Sequence, residues 1–206
     1  MTEDTLPGVL AVGPDWNDGA VTRIVGGSVG GRQIAVPPGR ATRPTTDRTR
    51  EALFATLATL LDLTGARVLD LFAGSGAVGL EALSRGAEHA LLVESDPRAA
   101  RTVADNARAL GLAGARVTQV AAGRVLAEGP SGAGYDLVFA DPPYSLADAD
   151  LDALLASLVA HGWLAPGEVV VVERSSRGAG PNWPDSIEPV KNRRYGEGTL
   201  WYGRRL

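Results

Sequence analysis

Two stretches of this chain carry residues whose type and spacing could do chemistry. The first runs Asp70-Leu71-Phe72-Ala73-Gly74-Ser75-Gly76-Ala77-Val78-Gly79 and contains the spacing G-x-G-x-x-G; Glu94 follows Gly74 by twenty residues. Glycines there let backbone approach a ligand closely, and the later acid can accept from the two hydroxyls of a ribose. By pattern alone this is a dinucleotide fingerprint, and a nicotinamide-dependent oxidoreductase is one reading. Asp70 points elsewhere. A carboxylate before the glycines would repel a pyrophosphate, whereas it suits a ligand bearing an amino group, such as S-adenosylmethionine with its sulfonium and ammonium. An aspartate that only caps a turn or helix would look the same.

The second stretch is Asp141-Pro142-Pro143-Tyr144. An exocyclic amine is a poor nucleophile because its lone pair is delocalised into the ring. A site for it must accept its protons and align the nitrogen with the bond to be broken. The Asp141 carboxylate and the Pro142 carbonyl are suitable acceptors, the prolines stiffen the backbone that aims them, and Tyr144 can stack on a base drawn out of its helix. Positioning and charge placement would supply most of the rate.

The elements that must position these residues follow from the alternation of apolar runs. Arg67–Phe72, Ala90–Val93, Arg116–Val120, Tyr135–Ala140 and Glu168–Glu173 have the character of strands, and the tail from Ile187 to Leu206 adds two more joined through Gly196–Gly198. Between them lie helices over Ala77–Ser84, from Asp96-Pro97 to about Leu110, over Gly123–Ala127 and over Asp148–Ala160. Apolar strands alternating with helices predict an α/β fold: a mainly parallel seven-stranded sheet, Rossmann-like, covered on both faces. Asp141 then ends the fourth strand at its carboxyl edge, where open α/β sheets place their sites. Upstream, Thr22–Val25 and Arg32–Val36 predict a β-hairpin around Gly26, Gly27, Gly30 and Gly31. Thr46 or Asp47 caps a helix with Leu53, Phe54, Leu57, Leu60 and Leu61 on one face. The expected organisation is a disordered extension over 1–20, a basic hairpin arm over 21–45 kept off the main core by its glycines and prolines, and the main domain over 46–206.

Composition narrows the chemistry. With 206 residues, 45% apolar and no cysteine, the chain can bury a core without disulfides and has no thiolate ligand or nucleophile. Its two histidines, His89 and His161, stand far apart, so a histidine metal site is not expected and they are taken as ordinary edge and loop residues. No run reaches the length of a membrane span, and an acidic start unlike a secretory signal makes the cytoplasm the expected compartment. Net charge is −4 but uneven: residues 21–50 carry six arginines against Asp47, net +5; residues 191–206 carry Lys191 and four arginines against Glu197, net +4. Residues 51–190 hold nine bases and eighteen acids. An acidic body with basic ends is compatible with a polyanionic partner. Arginines that only solubilise the chain would give the same count.

Together the motifs resemble the class of amino-methyltransferases marked by N-P-P-Y or D-P-P-Y, and within it the RsmD family. The resemblance rests on Arg23-Ile24-Val25-Gly26-Gly27 with Gly31-Arg32, on Arg43-Pro44-Thr45-Thr46-Asp47-Arg48-Thr49-Arg50-Glu51-Ala52-Leu53-Phe54, on Asp70–Gly76 with Gly79–Gly86, and on Asp141–Tyr144. It covers roughly residues 22–206. It implies an enzyme that transfers a methyl group from S-adenosylmethionine to the exocyclic N2 of a guanine in 16S ribosomal RNA, of the guanine-966 type, with the RNA or the 30S subunit as partner and no metal. The residues implied are Asp141, Pro142 and Tyr144 for catalysis; Asp70, Phe72, Ala73, Gly74, Gly76, Glu94, Ser95, Thr46 (with Thr45) and Ala122 (with Ala121) for the cofactor; and Arg23, Arg32, Arg43 and Arg48 for RNA phosphates. Asn106 is expected to be structural. D-P-P-Y itself separates neither guanine from adenine nor RNA from DNA, so an N6-adenine DNA methyltransferase is the main alternative.

Overall fold

The computed structural model describes residues 20–37 and 46–206. The expected extension lies almost wholly outside the described residues, as do Arg43 and Thr45. Nine strands and five helices follow in the order β1 (Val21–Arg23), β2 (Gln33–Ala35), α1 (Asp47–Leu57), β3 (Arg67–Leu71), α2 (Ala77–Ser84), β4 (His89–Glu94), α3 (Pro97–Leu110), β5 (Ala115–Gln119), α4 (Ala122–Glu128), β6 (Tyr135–Ala140), α5 (Asp148–Ala160), β7 (Leu164–Ser175), β8 (Ile187–Tyr195) and β9 (Gly198–Arg205) among these residues.

Seven strands form one sheet in the order β5-β4-β3-β6-β7-β9-β8. Pairing is parallel from β5 to β7, and β9 runs antiparallel between β7 and β8. The chain leaves β3 toward β4 and β5, then returns to the other side of β3 with β6 and β7. The switch point therefore lies between β3 and β6, where ligands of open α/β sheets bind. The runs Val169–Val172 and Val68–Leu71 are buried throughout because helices cover both faces. One face packs Leu53, Phe54 and Leu57 of α1 with Leu80 and Val103; the other packs Val125 and Leu126 of α4 with Leu151, Leu155 and Leu158 of α5.

The helix starts follow local chemistry. The Thr46 hydroxyl accepts from the Thr49 N–H to cap α1, and Asp96 accepts from the Arg98 and Ala99 N–H groups ahead of Pro97 at the start of α3. Gly111 closes α3 in the left-handed conformation.

The hairpin departs from expectation. Its strands β1 and β2 pair as predicted, but Ile24 and Ile34 are fully buried in the same core as Leu53 and Phe54. Its turn is pinned to the end of α2: Ser28 N–H donates to the Ser84 carbonyl (2.6 Å), Val29 N–H to the Ser84 hydroxyl (3.1 Å), and that hydroxyl to the Gly26 carbonyl (2.6 Å). Gly27 has φ +83°, and a Cβ there would lie 2.0 Å from the Ser84 oxygen, so the glycine that seemed to loosen the segment is what permits its docking.

A buried charge network fixes this junction. The Glu81 carboxylate, wholly buried on α2, accepts from Arg50 Nε (3.2 Å), from Arg85 (2.7 and 3.0 Å) and from the Val25 N–H (3.1 Å). Arg50, equally buried on α1, also reaches Asp47 (3.0 Å) and the Arg23 carbonyl. Arg85 lies over the Phe54 ring at 4.7 Å. Partial burial would raise the Asp47 carboxyl, but the Thr22 hydroxyl and the Arg50 and Arg23 guanidinium groups hold it below the usual carboxylate range. Because its folded value is depressed, the Asp47 contribution is present at neutral pH and is lost as pH falls through that folded value.

Glu81→Ala would leave the Arg50 guanidinium buried beside a missing partner and strand the Val25 N–H. Breaking a buried pair from one side typically costs about 3–5 kcal/mol. Urea unfolding should show that loss for Glu81→Ala, whereas Arg108→Ala, at an exposed ion pair of α3, should stay within ~0.5 kcal/mol of the parent.

Candidate active site

The carboxyl edge of the sheet gathers three carboxylates from three neighbouring strands. Asp70 is on β3, Glu94 ends β4 and Asp141 follows β6; registers Leu71↔Val93 and Leu71↔Ala140 put the last residues of these strands side by side. Between β3 and α2 the chain makes a sharp turn. Phe72 has φ 65°, the one positive φ among described non-glycine residues. Such strain is stored where surrounding structure fixes the backbone and is common at sites. Gly74 and Gly76 have φ 62° and 80°, and Gly76 starts α2.

The carboxylates brace that turn. Glu94 Oε2 accepts from the Gly74 N–H and Oε1 from the Asp96 N–H, both at 2.9 Å. Asp70 Oδ2 accepts from the Gly79 N–H at 2.9 Å, one turn into α2. Asp70 and Glu94 are each only 2% exposed. Here the bland reading of Asp70 as a helix-holding residue is realised in hydrogen bonds.

Asn106 on α3 is structural, as expected, and its role is specific. Its amide bonds both the N–H and the carbonyl of Ala35 and also donates to the Ser75 carbonyl, all at 2.9 Å. One buried side chain thus ties the hairpin to the glycine turn. Ser95 is exposed just past β4, Ala73 N–H donates to the Val93 carbonyl, and Ala122 is buried at the start of α4 behind Ala121.

Beyond β6, Pro142 is buried, Asp141 is half-buried and Tyr144 stands 58% exposed. Tyr144 forms the mouth of a cleft of about 500 Å³ whose other walls come from the start of α1 (Thr46, Arg48, Thr49), from Glu173 on β7 and from the β8–β9 turn around Arg194 to Gly198. Thr46 and Arg48 therefore meet Tyr144 across one cleft, while Asp70, Phe72, Ala73, Gly74, Gly76 and Glu94 cluster at the neighbouring turn. Of the other assigned arginines, the two that are described, Arg23 and Arg32, are engaged elsewhere. Arg23 pairs with Asp47 at 2.8 Å, and Arg32 donates to the Ala109 and Leu110 carbonyls at the end of α3 (2.5 and 3.4 Å). Arg32 thus completes a helix terminus, a use the charge count did not reveal. Sequence reasoning passed over Glu173 and the β8–β9 turn because strand pairing alone brings them to Tyr144. No group of three or more potential metal ligands occurs among the described residues, and none of their helices is long and apolar enough to cross a membrane.

A seven-stranded sheet of this order, with its acids and its D-P-P-Y segment at the switch-point edge, defines a Rossmann-like methyltransferase. The chain belongs to the family described as Conserved hypothetical protein 95, the RsmD family, whose profile matches residues 22–204. It is 39% identical over 171 residues, 83% of each chain, to Ribosomal RNA small subunit methyltransferase D of Escherichia coli K12. The solved structure of yhhF from Escherichia coli superposes with a TM-score of 0.78 at 36% identity, covering 90% of this chain and 98% of that one. Magnesium protoporphyrin IX methyltransferase from Synechocystis, solved with bound S-adenosylmethionine, shares the fold at 12% identity, with a TM-score of 0.61 over 77% of this chain and 79% of its own. The nicotinamide reading of the glycine motif is set aside by this membership.

The glycine at position 76 is demanded twice over. A Cβ there would sit 2.9 Å from Val103 and 3.2 Å from Leu92, on a backbone with φ +80°. Gly76→Ala should lose about 1–2 kcal/mol from the left-handed conformation alone, with further loss from the clash. Chemical denaturation should show it more destabilised than Gly111→Ala, where φ is +71° but no atom lies within 4 Å of the added carbon.

Proposed function

We propose that the protein transfers a methyl group from S-adenosylmethionine to the exocyclic N2 of a guanine in 16S ribosomal RNA, of the guanine-966 type, acting in the cytoplasm on the RNA or on a 30S particle. The observation that carries this reading is the Asp141-Pro142-Pro143-Tyr144 segment ending β6, beside the acid-braced turn and at the mouth of a cleft. The relatives named for rRNA methylation support it.

The residues present fit the cofactor. Three carboxylates at one sheet edge suit a sulfonium, an ammonium and a ribose diol, and would repel a pyrophosphate. Bound there, S-adenosylmethionine supplies an electrophilic methyl group on a positively charged sulfur. Glu94 would accept from the ribose hydroxyls, Asp70 would offset the ammonium charge, and the backbone of Phe72, Ala73, Gly74 and Gly76 would hold the amino-acid part. Ser95 and Ala122 would hold the adenosine, and Thr46 the methionine end. Asp141 and the Pro142 carbonyl accept the amine protons and turn the nitrogen lone pair toward the methyl carbon. Tyr144 stacks on the extruded base. Arg23, Arg32, Arg43 and Arg48 are assigned to RNA phosphates, which fix register without reading sequence; Arg48 is the one that lines the cleft.

The direct test is nucleoside mass spectrometry of 16S RNA from a deletion strain. It should lose one N2-methylguanosine and regain it on complementation; unchanged N2-methylguanosine overturns the reading. Asp141→Ala should keep cofactor affinity in calorimetry while kcat falls more than tenfold, at least about 1.4 kcal/mol of barrier. Glu94→Ala should weaken S-adenosylmethionine binding by ~1.5–3 kcal/mol, the usual value of a hydrogen bond to a charged group. Because Glu94 also holds Gly74, the same variant should unfold at lower temperature, and Glu94→Gln should recover part of both losses.

For the phosphate contacts, Arg23→Gln with Arg48→Gln should weaken RNA binding at 50 mM salt more than at 200 mM. Each lost contact should flatten the log–log salt dependence by roughly 0.7 to 0.9. An unchanged slope in filter binding would return these arginines to a solubilising role.

A further inference from the structure

The cleft beside Tyr144 contains a carboxylate that neither the motifs nor the proposed mechanism uses. Glu173 sits two residues before the end of β7, and Ala140↔Val172 is the last β6–β7 pair, so Glu173 stands one residue past it on β7 as Asp141 stands one residue past it beyond β6. Adjacent strands lie about 4.8 Å apart, so the two carboxylate-bearing positions leave this edge of the sheet at the same level. Across β9 the position opposite is Leu200, and the nearby Gly198 is what leaves room: a Cβ on Gly198 would lie 2.6 Å from Glu173 Oε1. The side chain is half-buried against that bare backbone and lines the cleft with Tyr144 and Arg194.

Guanine presents N1–H and N2–H₂ as adjacent donors and O6 as an acceptor. Adenine presents an acceptor at N1. A carboxylate only accepts and a guanidinium only donates. We infer that Glu173 is the base-selecting residue of this site: it accepts from N1–H while its neighbour Asp141 accepts from the N2 amine, and Arg194 donates to O6. This rests on the proposed N2 methylation of guanine. It adds the discrimination that D-P-P-Y cannot supply, because an N1 acceptor facing Glu173 leaves two lone-pair atoms opposed in a partly desolvated cleft. Sites that hydrogen-bond a substrate edge reject analogues lacking the match by large factors.

The test uses 30S particles whose target guanine is replaced by 2-aminopurine, which keeps the N2 amine but carries an acceptor at N1 and no O6. The wild-type protein should prefer guanine by at least about 100-fold in kcat/KM. Glu173→Gln, whose amide N–H can donate to that acceptor, should lose at least tenfold on guanine and narrow the preference at least tenfold. Glu173→Asp, which keeps a carboxylate, should retain the preference even where its rate falls. Calorimetric affinity for S-adenosylmethionine should be unchanged in both variants. If Glu173→Gln lowers both substrates equally, or Glu173→Asp loses the preference as fully as Glu173→Gln, the residue only supports the Gly198 turn and the inference falls. If the wild-type protein forms N2-methylguanosine yet does not discriminate, the inference alone falls. If it forms none on 30S particles or naked 16S RNA, the proposed function falls with it.

Discussion

The buried Glu81 carboxylate is the constraint on which the positions of the other parts depend. It holds α2 to α1 through Arg50 and holds the hairpin through the Val25 N–H. Taking a carboxylate and a guanidinium out of water is expensive, and only a fully satisfied arrangement repays it. Here Glu81 receives donors from Arg50, Arg85 and backbone, and Arg50 is spread over Glu81, Asp47 and the Arg23 carbonyl. Such a network tolerates one geometry. It sets where α1 begins, and hence where Thr46 and Arg48 stand relative to Tyr144. It also anchors the helix whose first turn closes the glycine loop.

The acids at the sheet edge divide their labour in a related way. Glu94 and Asp70 hold the backbone of the turn through Gly74 and Gly79, so the strained Phe72 and the left-handed glycines are kept in one conformation before any ligand arrives. Asp141, just beyond β6, and Glu173, on β7, leave the same edge of the sheet one residue past the last β6–β7 pair, and Glu173 lines the Tyr144 cleft. A carboxylate that first builds the loop and then meets a ligand gives preorganisation at little further entropic cost.

Much of this was legible in the sequence because its signals were local. Apolar runs bounded by glycine and proline placed the strands of the sheet, Asp96-Pro97 placed the start of α3, and D-P-P-Y at the end of β6 placed the switch-point edge. What was not legible depended on pairs distant in sequence. Glycines 26 and 27 looked like looseness, yet Gly27 permits contact with Ser84, 57 residues on. Glu81 and Arg50 each sat within a recognisable motif without any local hint that they meet. Arg32 counted as free positive charge, although it closes the end of α3. Glu173 is one acid after a valine run, and only the register of β6 with β7 brings it level with the point where the chain leaves β6 at Asp141.

Charge distribution gains its meaning from the same folding-together. Residues 51–190 carry nine bases against eighteen acids, and a body of that sign repels a polyanion at long range. The two basic stretches lie at opposite ends of the sequence, yet Arg48 from the first and Arg194 from the second line one cleft with Tyr144. The antiparallel insertion of β9 makes this geometry: it turns the last hairpin so that the β8–β9 turn returns to the carboxyl edge of β7, opposite the start of α1. Positive charge from both stretches thereby meets Glu173 and Glu197 in one cleft, while Asp70 and Glu94 lie at the neighbouring turn. The charge that leaves the whole molecule at −4 is therefore uneven in space as well as in sequence, and under the proposed function that unevenness would draw a polyanion to the cleft and away from the acidic flanks.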